Sequence, residues 1–257
     1  MAILLSSRKK DLTASVENAQ LLAAGTEIRG GARLTGEVRA GEGVIIDSNA
    51  VILGPVTIGR RTYIGPNCVV GSPTLEELND IRTQGRTVKK KRTTIGEECI
   101  VRSGSTIYSN VNVGDGVQFG HNVMVREEVS IGSGSKLGTN TVVDGWSKIG
   151  AKVSVQTGVY ICTFSTVEDA VFLGPCCVFT NDKYVAQKPF RLVGPTVKKG
   201  ASIGANALLF PGVTVGEGAV IGSQAMVNSD VPPKTVFVGI PAKKLRDVPD
   251  DWRSKFL

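Results

Sequence analysis

Apolar residues recur at every sixth position through most of this 257-residue chain. Counting in sixes from Ile95, fifteen consecutive positions up to Phe179 are apolar. The same spacing continues over 197–227, and an earlier run covers 28–70. A period of six matches neither the α-helix, with about 3.6 residues per turn, nor the two-residue alternation of a half-buried strand. The repeat therefore excludes most folds before any other feature is considered.

Other positions of each hexad also carry characteristic residues. The residue after the apolar anchor is often glycine, and the fourth residue after it is small or β-branched, as at Cys99 and Ser105. The third residue after the anchor is often glycine or asparagine, which accept a left-handed backbone. These corner positions are Gly104, Asn110, Gly116, Asn122, Gly134, Asn140, Asn206, Gly212 and Gly218. We infer a short strand and a sharp corner per hexad, three hexads per triangular coil, and stacked coils that form a parallel β-helix.

The repeat predicts three segments along the chain. They are an N-terminal lead-in at 1–27, the β-helix at 28–238, and a tail at 239–257 that we expect to be short and helical. Two segments leave the period. The first, 71–94, is charged and contains a predicted helix at 74–82, and the second, 180–196, is expected to replace one full coil. Long irregular loops in a compact domain often serve as binding lids.

Composition agrees with an all-β fold, since aromatic residues are only 5% of the chain and glycines number 31. The five cysteines show no CxxC spacing, which argues against a zinc site and against a disulfide framework. Three of them, Cys68, Cys99 and Cys177, occupy the small inward position of the hexad. We expect these three thiols to pack as compact hydrophobic groups.

The net charge of +7 comes from local basic runs at 86–92, 197–200 and 242–246. No aromatic residues interleave these runs, which disfavours nucleic acid and favours a phosphate-bearing small molecule. No stretch of eighteen apolar residues occurs, and the order of apolar and charged residues at the start is wrong for a signal peptide. We therefore expect a cytoplasmic protein without membrane or nucleic-acid partners.

Read as [LIV]-G-x-x-[STAVC]-x over about 28–242, the repeat resembles the hexapeptide-repeat transferase family. Segment 203–246 ends in GIPAK and resembles the terminal coils of acetyl-CoA-dependent members, whose ending is usually written GNPAK. Segments 120–132 and 171–184 resemble N-acetyltransferases that modify the 3-amino group of a dTDP- or UDP-linked deoxyhexose. The resemblance implies a left-handed β-helix, a homotrimer with active sites between subunits, acetyl-CoA as donor, and no required metal.

His121 is the only histidine in the chain. It stands two residues after the anchor Phe119, at an outward-facing corner. N-acetylation requires a neutral amine to attack a thioester carbonyl, and an imidazole could accept the proton or orient the amine. Both roles stay open, and the resemblance makes His121 the candidate catalytic residue.

The same resemblance implies further site residues. Asn122 is a candidate for substrate binding, although corner geometry alone explains an asparagine there. Asn181 and Asp182, in the second irregular segment, are candidates for acceptor binding, although either could cap a turn. Backbone approach of the pantetheine arm is expected at Gly204, Ala205 and Gly222. Phosphate contacts are expected from Lys198, Lys199, Lys243 and Lys244.

Four other functions compete with this hypothesis. A carbonic anhydrase on the same fold would need three histidines per metal site, which one histidine per chain disfavours. An O-acetyltransferase would pair the histidine with an acid, for which Asp115 and Glu127 are the candidates. The segment that ends in the 71–94 insertion also resembles acyl-carrier-protein-dependent acyltransferases of UDP-sugars. The fourth alternative is a non-catalytic β-helix scaffold.

Overall fold

The computed structural model describes residues 9–10, 15–16, 20–85, 90–252 and 256. These residues divide into two compact units, Met1–Asn122 and Val123–Leu257. Within each unit, short strands follow one another around a coil, and up to the last coil a strand pairs in parallel with the strand three places later. The predicted fold class, an all-β left-handed parallel β-helix, is confirmed. Residues 86–89 of the first basic run lie outside the described residues.

Among the described residues, the first unit has sixteen strands and one helix, and the second unit has eighteen strands. Those of the first unit are β1 (Lys9–Lys10), β2 (Ser15–Val16), β3 (Gln20–Leu22), β4 (Glu27–Ile28), β5 (Arg33–Thr35), β6 (Val38–Ala40), β7 (Ile45–Ile46), β8 (Val51–Leu53), β9 (Val56–Ile58), β10 (Tyr63–Ile64), β11 (Val69–Ser72), α1 (Leu75–Gln84), β12 (Thr93–Ile95), β13 (Ile100–Val101), β14 (Thr106–Tyr108), β15 (Asn112–Val113) and β16 (Gln118–Phe119).

The second unit continues with eighteen strands. They are β17 (Met124–Val125), β18 (Ser130–Ile131), β19 (Lys136–Leu137), β20 (Val142–Val143), β21 (Lys148–Ile149), β22 (Ser154–Val155), β23 (Tyr160–Ile161), β24 (Thr166–Val167), β25 (Phe172–Leu173), β26 (Val178–Phe179), β27 (Thr196–Val197), β28 (Ser202–Ile203), β29 (Leu208–Leu209), β30 (Thr214–Val215), β31 (Val220–Ile221), β32 (Met226–Val227), β33 (Thr235–Val238) and β34 (Lys243–Asp247).

Strand pairing explains the period of six. Val125 pairs with Val143, eighteen residues later, and Val143 pairs with Ile161. Three hexads therefore make one coil, and equivalent anchors of successive coils lie directly above one another. Every anchor in the predicted series is buried, with at most 4% of its surface exposed. The anchors form a continuous aliphatic column within each unit, whose burial is the main favourable term in folding.

The corners follow the prediction at every position named above. Each of the nine glycine and asparagine corners has a positive φ, for example 59° at Asn110 and 57° at Asn140. The three thiols expected inside, Cys68, Cys99 and Cys177, are fully buried. Burial raises the pKa of Cys68 to about 11 and the pKa of Cys177 to about 12.

The N-terminal boundary differs from the predicted one. Strands β1, β2 and β3 already pair with β4, β5 and β6, so a coil begins inside the segment 1–27 that the repeat assigned to a lead-in. Lys10 pairs with Ile28 and takes the place of an apolar anchor. Counting back in sixes from Ile28 gives the apolar residues Leu22 and Val16 before Lys10, so the spacing itself extends into the segment assigned to the lead-in.

The irregular segments are insertions within coils. Val70 pairs with Ile107, 37 residues later, and Val167 pairs with Val197, 30 residues later, instead of the usual eighteen. The expectation that 180–196 replaces a full coil is therefore wrong, because β24 pairs directly with β27 and no coil is skipped. Twelve extra residues leave the coil after β26 and return at β27. Their number is a multiple of six, so they keep the phase of the repeat.

The first insertion carries the predicted helix. Helix α1 begins after Thr74, whose hydroxyl accepts a hydrogen bond from the Glu77 amide at 3.1 Å, and the Glu77 carboxylate accepts from the Thr74 amide at 2.9 Å. This reciprocal pair is a capping box. Glu77 is buried and also accepts a hydrogen bond from Ser109 Oγ at 2.8 Å, which ties the helix to the coil beneath it. Gly85, with φ 69°, ends the helix.

The C-terminal tail is not helical in its described part. Strand β34 runs antiparallel to β33 and supplies hydrogen bonds to the last parallel strand of the second unit. Pro241 and Pro249 flank β34, and proline is unfavourable inside a helix. The predicted helical tail is therefore corrected to an antiparallel strand, and residues 253–255 and 257 lie outside the described residues.

A polar chain links three coils of the first unit. Arg29 Nη1 donates to Asp47 Oδ2 at 2.8 Å, and the Tyr63 hydroxyl donates to the same oxygen at 2.6 Å. Arg29 and Asp47 occupy the position after the anchor, where glycine is usual. The hydrogen bond to Asp47, together with burial, raises the pKa of Tyr63 to about 12.

Stability at high pH is therefore expected to depend on Tyr63. Because its pKa is raised on folding from the ordinary value of 10.0, its contribution is complete below pH 10 and declines as the pH rises to about 12. Tyr63→Phe should lower the free energy of unfolding at pH 8 by about 1 kcal/mol, the usual value for one hydrogen bond. Urea unfolding at several pH values should show the difference between the two proteins shrinking above pH 10. A constant difference up to pH 12 would contradict this assignment.

Because the coils stack closely, two glycine-to-alanine substitutions should lower the free energy of unfolding by unequal amounts. A Cβ at Gly138 would lie 2.5 Å from the Thr157 nitrogen, whereas a Cβ at Gly134, with φ 71°, would meet nothing nearer than 3.8 Å. Gly138→Ala should lower the free energy of unfolding by about 3 kcal/mol, because the neighbouring backbone cannot move aside. Gly134→Ala should lower it by about 1 kcal/mol, from backbone strain alone. Equal losses in urea unfolding would contradict the steric explanation.

Candidate active site

His121 lies at an exposed corner that follows β16. Its Nδ1 atom is 2.8 Å from Oγ of Ser103, which occupies the same corner one coil earlier. Backbone pairing between β13 and β16 sets this eighteen-residue relation, so the imidazole stands on a rigid edge. The sequence reasoning did not include Ser103, although counting back eighteen residues from His121 finds it.

The contact with Ser103 matters for the chemistry of the ring. When Nδ1 carries the proton and donates to Ser103 Oγ, the opposite nitrogen, Nε2, holds the lone pair and can accept a proton. The serine hydroxyl can also donate to Nδ1, which places the proton on Nε2 instead. The geometry therefore orients the ring and is compatible with a base or with a hydrogen-bond donor.

Asn122 is a corner residue by its backbone. Its φ is 54°, and its backbone N–H donates to the Ser103 carbonyl at 3.0 Å. Its side-chain oxygen lies over Gly104, where any Cβ would collide with it. Asn122 therefore shapes the corner, as the sequence allowed, and its role in substrate binding stays a prediction.

In the second unit, Asn181 and Asp182 line a cavity of about 540 Å³ at the start of the irregular segment. Tyr160, Val178, Phe210 and Lys183 also line it.

The Tyr160 hydroxyl donates to Asp144 Oδ2 at 2.7 Å, and Arg126 lies 3.7 Å from the other oxygen of Asp144. This set repeats the arginine–aspartate–tyrosine chain of the first unit, and burial and the Asp144 hydrogen bond raise the pKa of Tyr160.

Asp182 organises the irregular segment from within. Its Oδ1 accepts from the Tyr184 amide at 2.8 Å and its Oδ2 from the Ala186 amide at 2.7 Å. Both oxygens therefore cap a turn, which is the alternative that the sequence reasoning allowed. Asn181 Nδ2 donates to the Thr163 carbonyl at 3.4 Å, which connects the segment to the coil below.

The residues predicted to hold the donor are distributed over the second unit. A Cβ at Gly204 would lie 2.6 Å from the Gly222 carbonyl carbon, and a Cβ at Gly222 would lie 2.8 Å from Val238 Cγ1. Coil stacking therefore already requires glycine at 204, where the close atoms are backbone, whereas at Gly222 the close atom belongs to a side chain. Ala205 accepts a backbone hydrogen bond from Gln224 at 2.8 Å.

The four predicted lysines differ in their surroundings. Lys198 Nζ is 2.8 Å from Glu168 Oε1, and the Lys199 amide donates to Oε2 at 3.0 Å, so Lys198 holds the pKa of Glu168 below its ordinary value. Lys243 and Lys244 are exposed on β34, and Lys244 Nζ is 2.7 Å from Asp247. The structure thus brings Lys198 and Lys199 together around one carboxylate and places the other two on a separate strand.

The acids considered as partners for the histidine have other partners. Asp115 Oδ1 accepts from the Glu97 amide at 2.8 Å, and the Glu127 carboxylate is held by Arg126 at 2.9 and 3.0 Å. In the described part of the chain, no group of three histidine, cysteine or acidic side chains is placed to hold a metal ion. Nor does any helix of that part have the length and apolar character to cross a membrane.

Family comparison agrees with the geometry. The model for bacterial transferase hexapeptide repeats matches residues 41–72 and 110–145, and the model for the hexapeptide repeat of succinyl-transferase matches 199–225. Each matched segment lies in the hexapeptide coils, so these parts of the chain carry the repeat that those transferase models describe.

Two curated relatives of this hexapeptide-repeat chain are bifunctional GlmU proteins. That of Stutzerimonas stutzeri is 28% identical over 236 residues, which cover 86% of this chain and 43% of the relative. That of Pseudomonas putida strain F1 is 26% identical over 206 residues, which cover 78% of this chain and 42% of the relative. The chain therefore spans less than half the length of these relatives. The solved UDP-N-acetylglucosamine acyltransferase of Francisella novicida, at 16% identity and a TM-score of 0.50, covers 92% of this chain and 69% of its own, and shares the fold.

The capping role of Asp182 predicts a local effect of its removal. Asp182→Ala should speed tryptic cleavage after Lys183 and Arg191 roughly 10-fold, because about 1–2 kcal/mol of local hydrogen-bond stability is lost. The thermal unfolding midpoint should change little, since the hexapeptide coils are intact. Asp182→Asn keeps one acceptor oxygen and should give a smaller effect. Cleavage of Asp182→Ala at the wild-type rate would contradict the capping role.

Proposed function

We propose that this chain is an acetyl-CoA-dependent N-acetyltransferase that acts on a nucleotide-linked amino-deoxy sugar. The proposed acceptor is a dTDP- or UDP-sugar with a 3-amino group, used in surface polysaccharide or glycan biosynthesis. The observation that carries this proposal is the exposed imidazole of His121, oriented through Nδ1 by Ser103 at 2.8 Å. The matches to transferase hexapeptide repeats support acyl transfer, and the resemblance of 120–132 and 171–184 supports the acceptor class.

The chemical step needs one base and no redox group. The neutral amine nitrogen attacks the thioester carbonyl, a carbon–nitrogen bond forms, and the tetrahedral intermediate then loses the coenzyme A thiolate. His121 Nε2 accepts the amine proton while Nδ1–H donates to Ser103 Oγ, and the proton then passes to the thiolate. A positioned general base typically contributes about 10²- to 10⁴-fold to the rate.

Asn122, beside His121, is proposed to contact the acceptor, and Asn181, which lines the cavity of the second unit, is a separate candidate for acceptor binding. Asp182 supports that cavity by capping its turn, and its carboxylate contacts the backbone amides of the loop. A homotrimer with active sites between subunits would place a neighbouring chain against the exposed histidine corner. Acetyl-CoA and nucleotide sugars are cytoplasmic metabolites, so this function requires a cytoplasmic location.

The donor is proposed to lie along the backbone at Gly204, Ala205 and Gly222. Lys199 and Lys243 are exposed and available as mobile charges for the coenzyme A phosphates, whereas the exposed Lys244 also pairs with Asp247. Lys198 also faces Glu168, so its contribution to phosphate binding would be reduced by that pairing.

Coenzyme A release in the presence of acetyl-CoA and a panel of dTDP- and UDP-linked amino sugars tests the proposal. His121→Ala should lower kcat by about 10²- to 10⁴-fold, and Ser103→Ala by about 10-fold, because the ring loses its orientation but keeps its base. Ser133→Ala is the matched control, since it removes a hydroxyl from another corner and should leave kcat unchanged.

Four outcomes would contradict the proposal in different ways. Unchanged turnover in His121→Ala would remove the histidine from the mechanism. Turnover only with hydroxyl acceptors would indicate O-acetylation, and turnover only with acyl carrier protein would indicate a different donor. Calorimetry that detects no acetyl-CoA binding would favour a scaffold.

A further inference from the structure

Two aromatic residues occupy successive corners of the second unit, eighteen residues apart. Trp146 has φ 54° and is 51% exposed, and Phe164 has φ 66° and is 47% exposed. Their ring centroids are 5.9 Å apart with an interplanar angle of 36°. Two large apolar rings thus form one exposed surface at an edge of the coils, which we call the aromatic corner.

Local conformation does not favour these residues at these positions. A left-handed backbone is an outlier for bulky side chains, and other corners of this unit use asparagine, as at Asn140 and Asn206. Aromatic residues make up only 5% of the chain, and Trp146 is one of two tryptophans. Strained positions that persist against local preference are characteristic of functional sites.

The aromatic corner adjoins the irregular segment with the predicted acceptor residues. A Cβ at Gly194, near the end of that segment, would lie 2.7 Å from the Phe164 carbonyl carbon, so the backbones touch. Asn181 Nδ2 donates to the carbonyl of Thr163, the residue before Phe164. Lys183, two residues after Asn181, lines the cavity and adds a positive charge.

We propose that Trp146 and Phe164 form a stacking surface for a nucleobase of a bound substrate. This inference rests on the proposed function, in which both substrates contain a nucleotide. A purine or pyrimidine ring is planar and apolar on its faces, and such rings stack on exposed tryptophan and phenylalanine. The base belongs either to the nucleotide sugar or to coenzyme A, and the two sources share this chemistry.

Tryptophan fluorescence reports directly on the aromatic corner. In a Trp252→Phe background, Trp146 is the sole tryptophan of the full chain. UDP, dTDP and adenosine 3′,5′-diphosphate are titrated separately, with ribose 5-phosphate as the probe that lacks a base. Saturable quenching by UDP or dTDP assigns the site to the acceptor, and quenching by adenosine 3′,5′-diphosphate assigns it to coenzyme A. Ribose 5-phosphate should not quench.

Substitution by asparagine separates binding from folding. Phe164→Asn in the same background should raise the Kd from quenching about 10-fold, within the range measured for base stacking on an aromatic side chain. Trp146→Asn, measured by calorimetry, should weaken binding similarly, while its thermal unfolding midpoint stays equal or rises because asparagine suits the left-handed corner. Lys152→Asn, at another left-handed corner with φ 55°, is the matched control and should change neither quenching nor Kd.

Several results would overturn the inference. The first is that no nucleotide quenches Trp146 fluorescence, and the second is that ribose 5-phosphate quenches it equally. The third is Trp146 emission that changes with protein concentration and not with nucleotide, which would indicate contact with a second copy of the chain. Wild-type KM values for both substrates in Trp146→Asn would overturn it while the proposed acetyl transfer stands. Nucleotide quenching without acetyl transfer by the wild type would instead reject the proposed function and retain the stacking surface.

Discussion

Parallel pairing between strands eighteen residues apart is the interaction on which each unit depends. Each coil satisfies its backbone hydrogen bonds with its neighbours, and the pairing places one aliphatic anchor above another. The glycine after many anchors exists because the next coil approaches so closely that a Cβ would strike its backbone. Because pairing fixes the position of every corner, a polar residue at a corner gains a defined neighbour one coil away.

His121 illustrates this consequence. Ser103 is not its sequence neighbour, yet the coil geometry places the hydroxyl within hydrogen-bond distance of Nδ1. The arginine–aspartate–tyrosine chains arise in the same way, since charged residues that replace the usual glycine meet partners on the following coils. The aromatic corner is a third case, in which two large rings stand together although eighteen residues separate them.

The insertions show where a periodic sequence stops being informative. The helix at α1 was predictable, because Thr74 and Glu77 form a capping box that can be recognised three residues apart. The twelve-residue insertion after β26 was mistaken for a whole coil, because its length keeps the phase of the hexads. The tail was expected to be helical, whereas the unpaired edge of β33 made a strand the more favourable partner.

Sequence alone determined the coil, its buried column and its corners, because each of these is periodic and local. The period places Ser103 one coil before His121, but only the tertiary structure decided that their side chains meet and that Lys198 meets Glu168. It also decided that Asp182 accepts from the Tyr184 and Ala186 amides within its own loop. The physical reason is that hydrogen bonds and charge pairs depend on side-chain direction and on insertion length, neither of which the six-residue period encodes.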